Sequence, residues 1–121
     1  MSGLRVALIV AVAAVIVGCG DYEIPLRHGY VLGRIRSGVF VVVDPTQHVV
    51  VGPTVDRCQI VGDLFIGRVA NDKGQHIYFI VNMRSRTVQD GLNENEWRRQ
   101  LAASGVTDYR LVRPTRYATL T

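Results

Sequence analysis

Short apolar runs rich in β-branched residues, separated by turn signals, constrain the fold of this 121-residue chain most strongly. The runs cover residues 30–36, 39–43, 49–51, 54–60, 64–69, 76–81 and 87–89. They are typical of β-strands because branched and aromatic side chains pack well on a pleated surface. Ser37-Gly38 and Gly62-Asp63 supply tight reversals between neighbouring runs. The sequence therefore predicts a mainly β domain, a small antiparallel meander of six to seven short strands.

The hydrophobic period changes near the C-terminus, where a helix is predicted over about 93–103. Asn93 is a favourable N-cap, and Glu96 stands three residues later as in a capping box. Trp97 and Leu101 share one face at helical spacing. The prediction is an α+β chain in which this C-terminal helix packs on the sheet, with residues 106–112 as a further extended segment.

The first twenty residues form a separate pattern. Arg5 precedes an unbroken apolar run over residues 6–17, which is twelve residues long. A helix needs about 20 apolar residues to cross a bilayer. A basic start followed by a short apolar core is typical of an export signal.

Ile16-Val17-Gly18-Cys19 closes this segment with a small residue directly before a cysteine. The tetrapeptide resembles the lipobox of bacterial lipoproteins. The resemblance implies that the signal is cut after Gly18, that Cys19 receives a diacylglycerol and that its new amine is acylated, commonly with palmitate. Two or more acyl chains anchor a protein stably. The alternative is an uncleaved N-terminal membrane anchor.

The same resemblance implies a location in the bacterial cell envelope. Gram-negative lipoproteins kept at the inner membrane carry Asp directly after the lipidated cysteine. Gly20 stands there in this chain and Asp21 follows it, which favours the outer membrane over the inner and a domain facing the periplasm. The segment 76–81 followed by the helix at about 93–103 is also similar to small uncharacterised bacterial lipoproteins, which implies a fold and a location but no activity.

These patterns divide the chain into four predicted parts. They are a signal peptide over 1–18, a short tether over 19–28 from the lipidated cysteine, an antiparallel β domain over 29–113 that includes the helix, and a basic polar tail over 114–121. Removing the signal leaves 103 residues, enough for a single small domain.

The charge balance bears on possible partners. The chain has 14 basic and 10 acidic residues, and the excess stays modest after the signal is removed. A mild positive balance favours an acidic partner or an anionic lipid surface. The basic residues form no block of like sign, so we expect no nucleic-acid partner. Four arginines close in sequence form a candidate partner- or anion-binding patch, with a solvated charged face as the alternative: Arg84, Arg86, Arg98 and Arg99.

No residue pattern predicts catalysis or a metal site. The three histidines have no second ligand at a metal-binding spacing: His28, His48 and His76. Several acids fall at or near turns, where Asp is favoured for backbone reasons: Asp44, Asp56, Asp63 and Asp90. We therefore expect no catalytic residues, no metal, no cofactor and no enzymatic activity.

Cys58 is the second cysteine of the chain. If Cys19 is lipidated, Cys58 has no partner for an internal disulfide. Its strand-like context predicts a buried, inert thiol. An intermolecular disulfide in an oxidising compartment is the alternative.

These observations predict a lipid-anchored envelope protein that binds another protein as an assembly factor, an inhibitor or an immunity-type partner. The alternative is a ligand-binding or hydrolytic domain acting on envelope glycan or lipid. That alternative requires a concave pocket in which acids or histidines converge. The sequence leaves the oligomeric state open.

Overall fold

A computed structural model describes residues 22–71 and 73–115 of the chain. Within these residues, eight strands form two four-stranded antiparallel sheets. Sheet A contains β1 (Tyr22–Pro25), β2 (Val31–Arg36), β3 (Val39–Val43) and β4 (Val49–Val51); sheet B contains β5 (Val55–Val61), β6 (Leu64–Ala70), β7 (His76–Asn82) and β8 (Thr87–Leu92). Each strand pairs with its neighbour in sequence, so the chain forms two meanders in series.

The mainly β class predicted from the sequence is confirmed, whereas the single meander of six to seven strands is wrong in detail. The chain leaves sheet A after β4 and starts sheet B at β5. Thr54 joins the two sheets at this crossing: its Oγ1 accepts a hydrogen bond from the Phe40 N–H at 2.7 Å and donates to the Gly38 carbonyl at 3.0 Å. Its own carbonyl accepts from the Ala70 N–H at 3.1 Å.

The additional strand is β1, which lies inside the segment 19–28 that the sequence indicates as a tether. Glu23 pairs with Gly33 and Ile24 pairs with Leu32 in β2. Ile24 is buried between the sheets, and a strand of four residues is too short to show a period that predicts it. The predicted signal peptide, Cys19 and residues 116–121 of the predicted tail lie outside the described residues.

The main core lies between the two sheets. Its buried members are Ile24, Tyr30, Leu32, Phe40, Val42, Val51, Val55, Cys58, Phe65, Val69, Phe79, Val81 and Met83. Strand alternation explains how β7 contributes to two cores, because successive side chains point to opposite faces. Phe79 and Val81 face sheet A, whereas Tyr78 and Ile80 belong to a second cluster.

The second core lies between sheet B and helix α1 (Glu94–Ala103). The predicted cap is confirmed, since Asn93 Oδ1 accepts the Glu96 N–H at 2.8 Å. Trp97 donates its indole N–H to the Phe79 carbonyl at 2.9 Å, and its ring lies 4.8 Å from Tyr78. Sheet B is therefore covered on both faces. No helix in the described residues is long and apolar enough to cross a bilayer.

Cys58 lies in β5 at a point of close strand approach. A Cβ on Gly67 would overlap the Arg57 carbonyl oxygen and lie 2.9 Å from the Cys58 Cα, so only glycine fits there. Burial raises the pKa of the Cys58 thiol to about 12. The predicted buried thiol is confirmed. The predicted extended segment 106–112 reaches this strand, where Cys58 and Val112 exchange two backbone hydrogen bonds of 2.8 and 3.0 Å.

Candidate functional site

Four connections from both sheets meet at one end of the sandwich. They are the β1–β2 loop at 26–30, the β3–β4 loop at 44–48, the β5–β6 turn at 62–63 and the β7–β8 turn at 83–86, and we call them together the loop rim. His28 Nε2 donates to Asp63 Oδ1 at 2.9 Å, which joins a loop of sheet A to a turn of sheet B. The Met83 N–H donates to the Asp63 carbonyl at 2.9 Å.

The remaining connections lie at the opposite end. They are the turn at 37–38, the link at 52–54 and the turn at 71–75, of which residue 72 is not described. β1 also starts at this end, with Tyr22, and runs toward the loop rim. β2 has six residues between the two ends, and a strand rises about 3.3 Å per residue, so the ends are about 20 Å apart.

Basic side chains surround Asp63 at the loop rim. Arg27, His28 and Arg84 are exposed. The hydrogen bond from His28 is the largest influence and lowers the pKa of Asp63; desolvation opposes it, and the charges of His28, Arg84 and Arg27 lower the pKa further. Residues from two loops therefore act electrostatically on one carboxylate.

The charges of Arg86 and Asp44 act on the pKa of Tyr30, a buried residue of the loop rim. Burial raises the pKa of Tyr30, the Asp44 charge raises it further and the Arg86 charge opposes both. Burial would also raise the pKa of Asp44, but hydrogen bonds from His48 and Thr46 outweigh it and lower that pKa. The base of the loop rim thus contains charges of both signs.

Local hydrogen bonds fix the loops of the rim. Asp44 Oδ1 accepts the backbone N–H groups of Thr46 and His48, each at 2.9 Å. Asn82 Oδ1 accepts the N–H groups of Arg84 at 3.2 Å and Ser85 at 3.1 Å. Side chains that cap backbone donors in this way hold a turn in one conformation.

Three non-glycine residues of the loop rim have left-handed backbone conformations: His28 at φ 54°, Gln47 at φ 70° and Arg86 at φ 62°. Among the described residues, every other positive φ belongs to a glycine. For a residue with a Cβ, this left-handed conformation costs about 1–2 kcal/mol of conformational energy relative to the right-handed one. The loop rim therefore has side chains at three positions where glycine would be less strained.

The predicted arginine patch is divided between two elements. Arg84 and Arg86 lie in the β7–β8 turn, whereas Arg98 and Arg99 lie on α1, which follows β8. Arg98 pairs with Glu94 at 2.6 Å. Arg84 instead acts on Asp63 together with Arg27 and His28 of the first loop. Sequence reasoning missed this grouping because no local pattern reports that distant loops come together.

Two further histidines, neither of them predicted as a ligand, have polar neighbours. His76 Nε2 lies 3.8 Å from Asp56 Oδ2, which accepts a hydrogen bond from Arg68 Nε at 2.8 Å. His48 Nδ1 lies 2.7 Å from Thr46 Oγ1. Within residues 22–71 and 73–115, no group of three or more histidines, cysteines or acids has the arrangement of a metal site.

Two open clefts lie at the opposite end. One of about 570 Å³ is lined by Ile35, Arg36, Val39, Pro53, Thr54 and Ala70, none of which is an acid or a histidine. The second, of about 330 Å³, includes Asp56 among its lining residues. Asp56 is the carboxylate already paired with Arg68 at 2.8 Å.

No protein-family model matches the sequence, and no curated protein or solved structure is significantly similar to it.

Proposed function

We propose that this chain is a lipid-anchored protein of the bacterial cell envelope that acts by binding another protein. In this proposal the signal over 1–18 is removed, Cys19 carries the acyl chains and the domain faces the periplasm, at the outer membrane in preference to the inner one. Assembly factor, inhibitor and immunity-type partner are the roles that fit a small β domain with a membrane anchor.

The position of β1 is the observation that carries this proposal. β1 begins at Tyr22, three residues after Cys19 in sequence. Three extended residues span at most about 10 Å. Acyl chains on Cys19 would therefore hold the opposite end of the sandwich near the bilayer, and the loop rim would point away from it.

The chemistry of the loop rim supports binding as its role. Its two carboxylates accept hydrogen bonds that shape the loops: Asp44 from Thr46 and His48, and Asp63 from His28. These carboxylates serve to position backbone and side chains. A rigid, charged surface made of loops on a β scaffold is a common setting for recognition.

The test is the intact mass of the protein extracted from membranes. We expect a chain that lacks residues 1–18 and carries added acyl mass on Cys19. Cys19→Ser should abolish the acyl mass and leave an unprocessed precursor, whereas Cys58→Ala should keep the acyl mass and serve as the matched control. A chain that starts at Met1 with an unmodified Cys19, and that stays in the membrane after Cys19→Ser, would contradict the proposal.

A further inference from the structure

We propose that the loop rim is the partner-binding surface of this protein and that it binds an acidic segment of a protein through Arg27, Arg84 and Arg86. This inference rests on the proposed function and adds the site and the chemistry of the partner.

The arginines at the loop rim are available to pair with a carboxylate of another protein. Among the described residues, Arg27, Arg84 and Arg86 have no ion pair within 4.0 Å, whereas Arg68 pairs with Asp56 and Arg98 pairs with Glu94. A guanidinium group presents a planar fork of donors that matches a carboxylate, and both groups gain from charge-assisted hydrogen bonds. Acidic side chains are therefore the groups that these arginines would bind best.

The loops that carry the rim arginines are preorganised by hydrogen bonds. The Arg86 N–H donates to the Asn82 carbonyl at 2.8 Å, and the Leu26 N–H donates to the Tyr30 carbonyl at 2.8 Å, so the loops that carry Arg86 and Arg27 are both closed by hydrogen bonds. The bond between His28 and Asp63 ties the β1–β2 loop to the β5–β6 turn. A surface that is already ordered loses less entropy when a partner binds.

The backbone at Arg86 has a left-handed conformation. A φ of 62° is a conformation in which glycine is the least strained residue, yet the chain has arginine there. Strained positions of this kind cluster at binding and catalytic sites. The chain therefore has the Arg86 side chain in spite of this strain.

The charge pattern favours a protein over a phosphate-bearing surface. Asp44 and Asp63 belong to the same loop rim as the arginines and carry negative charge, so a dense polyanion would meet repulsion as well as attraction. A protein segment offers separated carboxylates that avoid these two groups, and it offers donors for them as well. The loop rim also points away from the bilayer in the proposed arrangement.

The experiment uses the full chain in nanodiscs of neutral phospholipid, with a fluorescein-labelled peptide in which glutamate alternates with serine as the probe. Two variants remove the same charge: Arg84→Gln with Arg86→Gln at the loop rim, and Arg98→Gln with Arg99→Gln on α1. We expect the rim variant to weaken binding at least about tenfold, since two arginines that make charge-assisted hydrogen bonds to the carboxylates are lost. We expect the helix variant to change binding less than about twofold.

Three outcomes would overturn the inference. They are equal weakening by both variants, no binding of the peptide even at low salt, or tighter binding of phosphatidylglycerol vesicles or polyphosphate than of the peptide. The circular dichroism spectrum of each variant confirms that it is folded. The mass measurement on Cys19 is independent of these results, so a failed anchor and a failed rim are distinguishable.

Discussion

Both ends of the sandwich contain residues with positive φ, but the residue types at these positions differ. At the opposite end the chain turns at Gly38, Gly52 and Gly74, all with positive φ. At the loop rim His28, Gln47 and Arg86 take positive φ as well, although Gly29 and Gly62 also contribute there. The opposite end is built for tight, unstrained turns and for joining the sheets. The loop rim keeps side chains at a cost in backbone energy, and this difference is one ground for the proposal that those side chains bind a partner.

Gly52→Ala tests the opposite end most severely. Gly52 has φ 110°, and a Cβ there would lie 2.9 Å from the Phe40 carbonyl oxygen and 3.1 Å from the Val41 Cα. We expect the free energy of unfolding in urea to fall by at least about 3 kcal/mol, because strain and steric overlap add.

Gly38→Ala is the matched control for that change. Gly38 also has positive φ, but a Cβ added there would meet no atom within 4 Å. We expect a loss of about 1–2 kcal/mol, from backbone strain alone. Equal losses at the two glycines would contradict the steric argument for the link between the sheets.

Thr54→Val should produce the next largest effect. The substitution keeps the shape of the side chain but removes the hydroxyl that accepts from Phe40 at 2.7 Å and donates to Gly38 at 3.0 Å. We expect a loss of about 1–3 kcal/mol, since the Phe40 N–H loses an acceptor in a partly buried place. Thr107→Val, at an exposed position, is the control and should leave the unfolding curve unchanged. A Thr54→Val protein as stable as the parent would show that the hydroxyl does not join the sheets.

Arg86→Gly and Arg86→Ala together test the loop rim. Both remove the side chain, but only glycine also relieves the left-handed backbone strain. We expect Arg86→Gly to be more stable than Arg86→Ala by about 1 kcal/mol, and both to bind the glutamate peptide more weakly than the parent. Thermal or urea unfolding measures the first expectation. Equal stability of the two variants would mean that residue 86 is not strained.

The smallest expected effect is a pH dependence at Asp63. Its pKa in the folded protein is lowered, first by the hydrogen bond from His28, so its stabilising contribution is present above the ordinary Asp pKa of about 3.9 and is lost as the pH falls through the folded pKa. The difference in unfolding free energy between the parent and Asp63→Asn should therefore shrink on acidification. His28→Ala should remove most of that pH-dependent difference, and an unchanged difference in that background would contradict the assigned cause.

Local patterns are sufficient to predict most elements of the fold. The β-branched runs predict strands at nearly their observed positions, and Asn93 with Glu96 predicts the start of α1. The division into two sheets escapes prediction because Gly52-Pro53 has the same sequence character as the turns within each sheet. β1 escapes it because its four residues are too few to show a strand period.

The candidate site is harder to predict, for a physical reason. Arg84 and Arg86 are close in sequence to α1, and this proximity groups them with Arg98 and Arg99. In the folded chain the charges of Arg84 and Arg27 both lower the pKa of Asp63, although Arg27 lies in a loop of the other sheet. Packing of two sheets brings these loops together, and a single sequence carries no periodic signal for that pairing.

The most direct test of the account is a comparison of photo-crosslinking from the two ends in native membranes. A photo-crosslinking amino acid would replace Ser85 at the loop rim in one variant and Gln75 at the opposite end in another; both positions are exposed. The account predicts a discrete protein adduct from position 85, weakened by high salt, and none from position 75. Adducts from position 75 alone, or equally from both positions, would contradict the assignment of the loop rim as the binding surface.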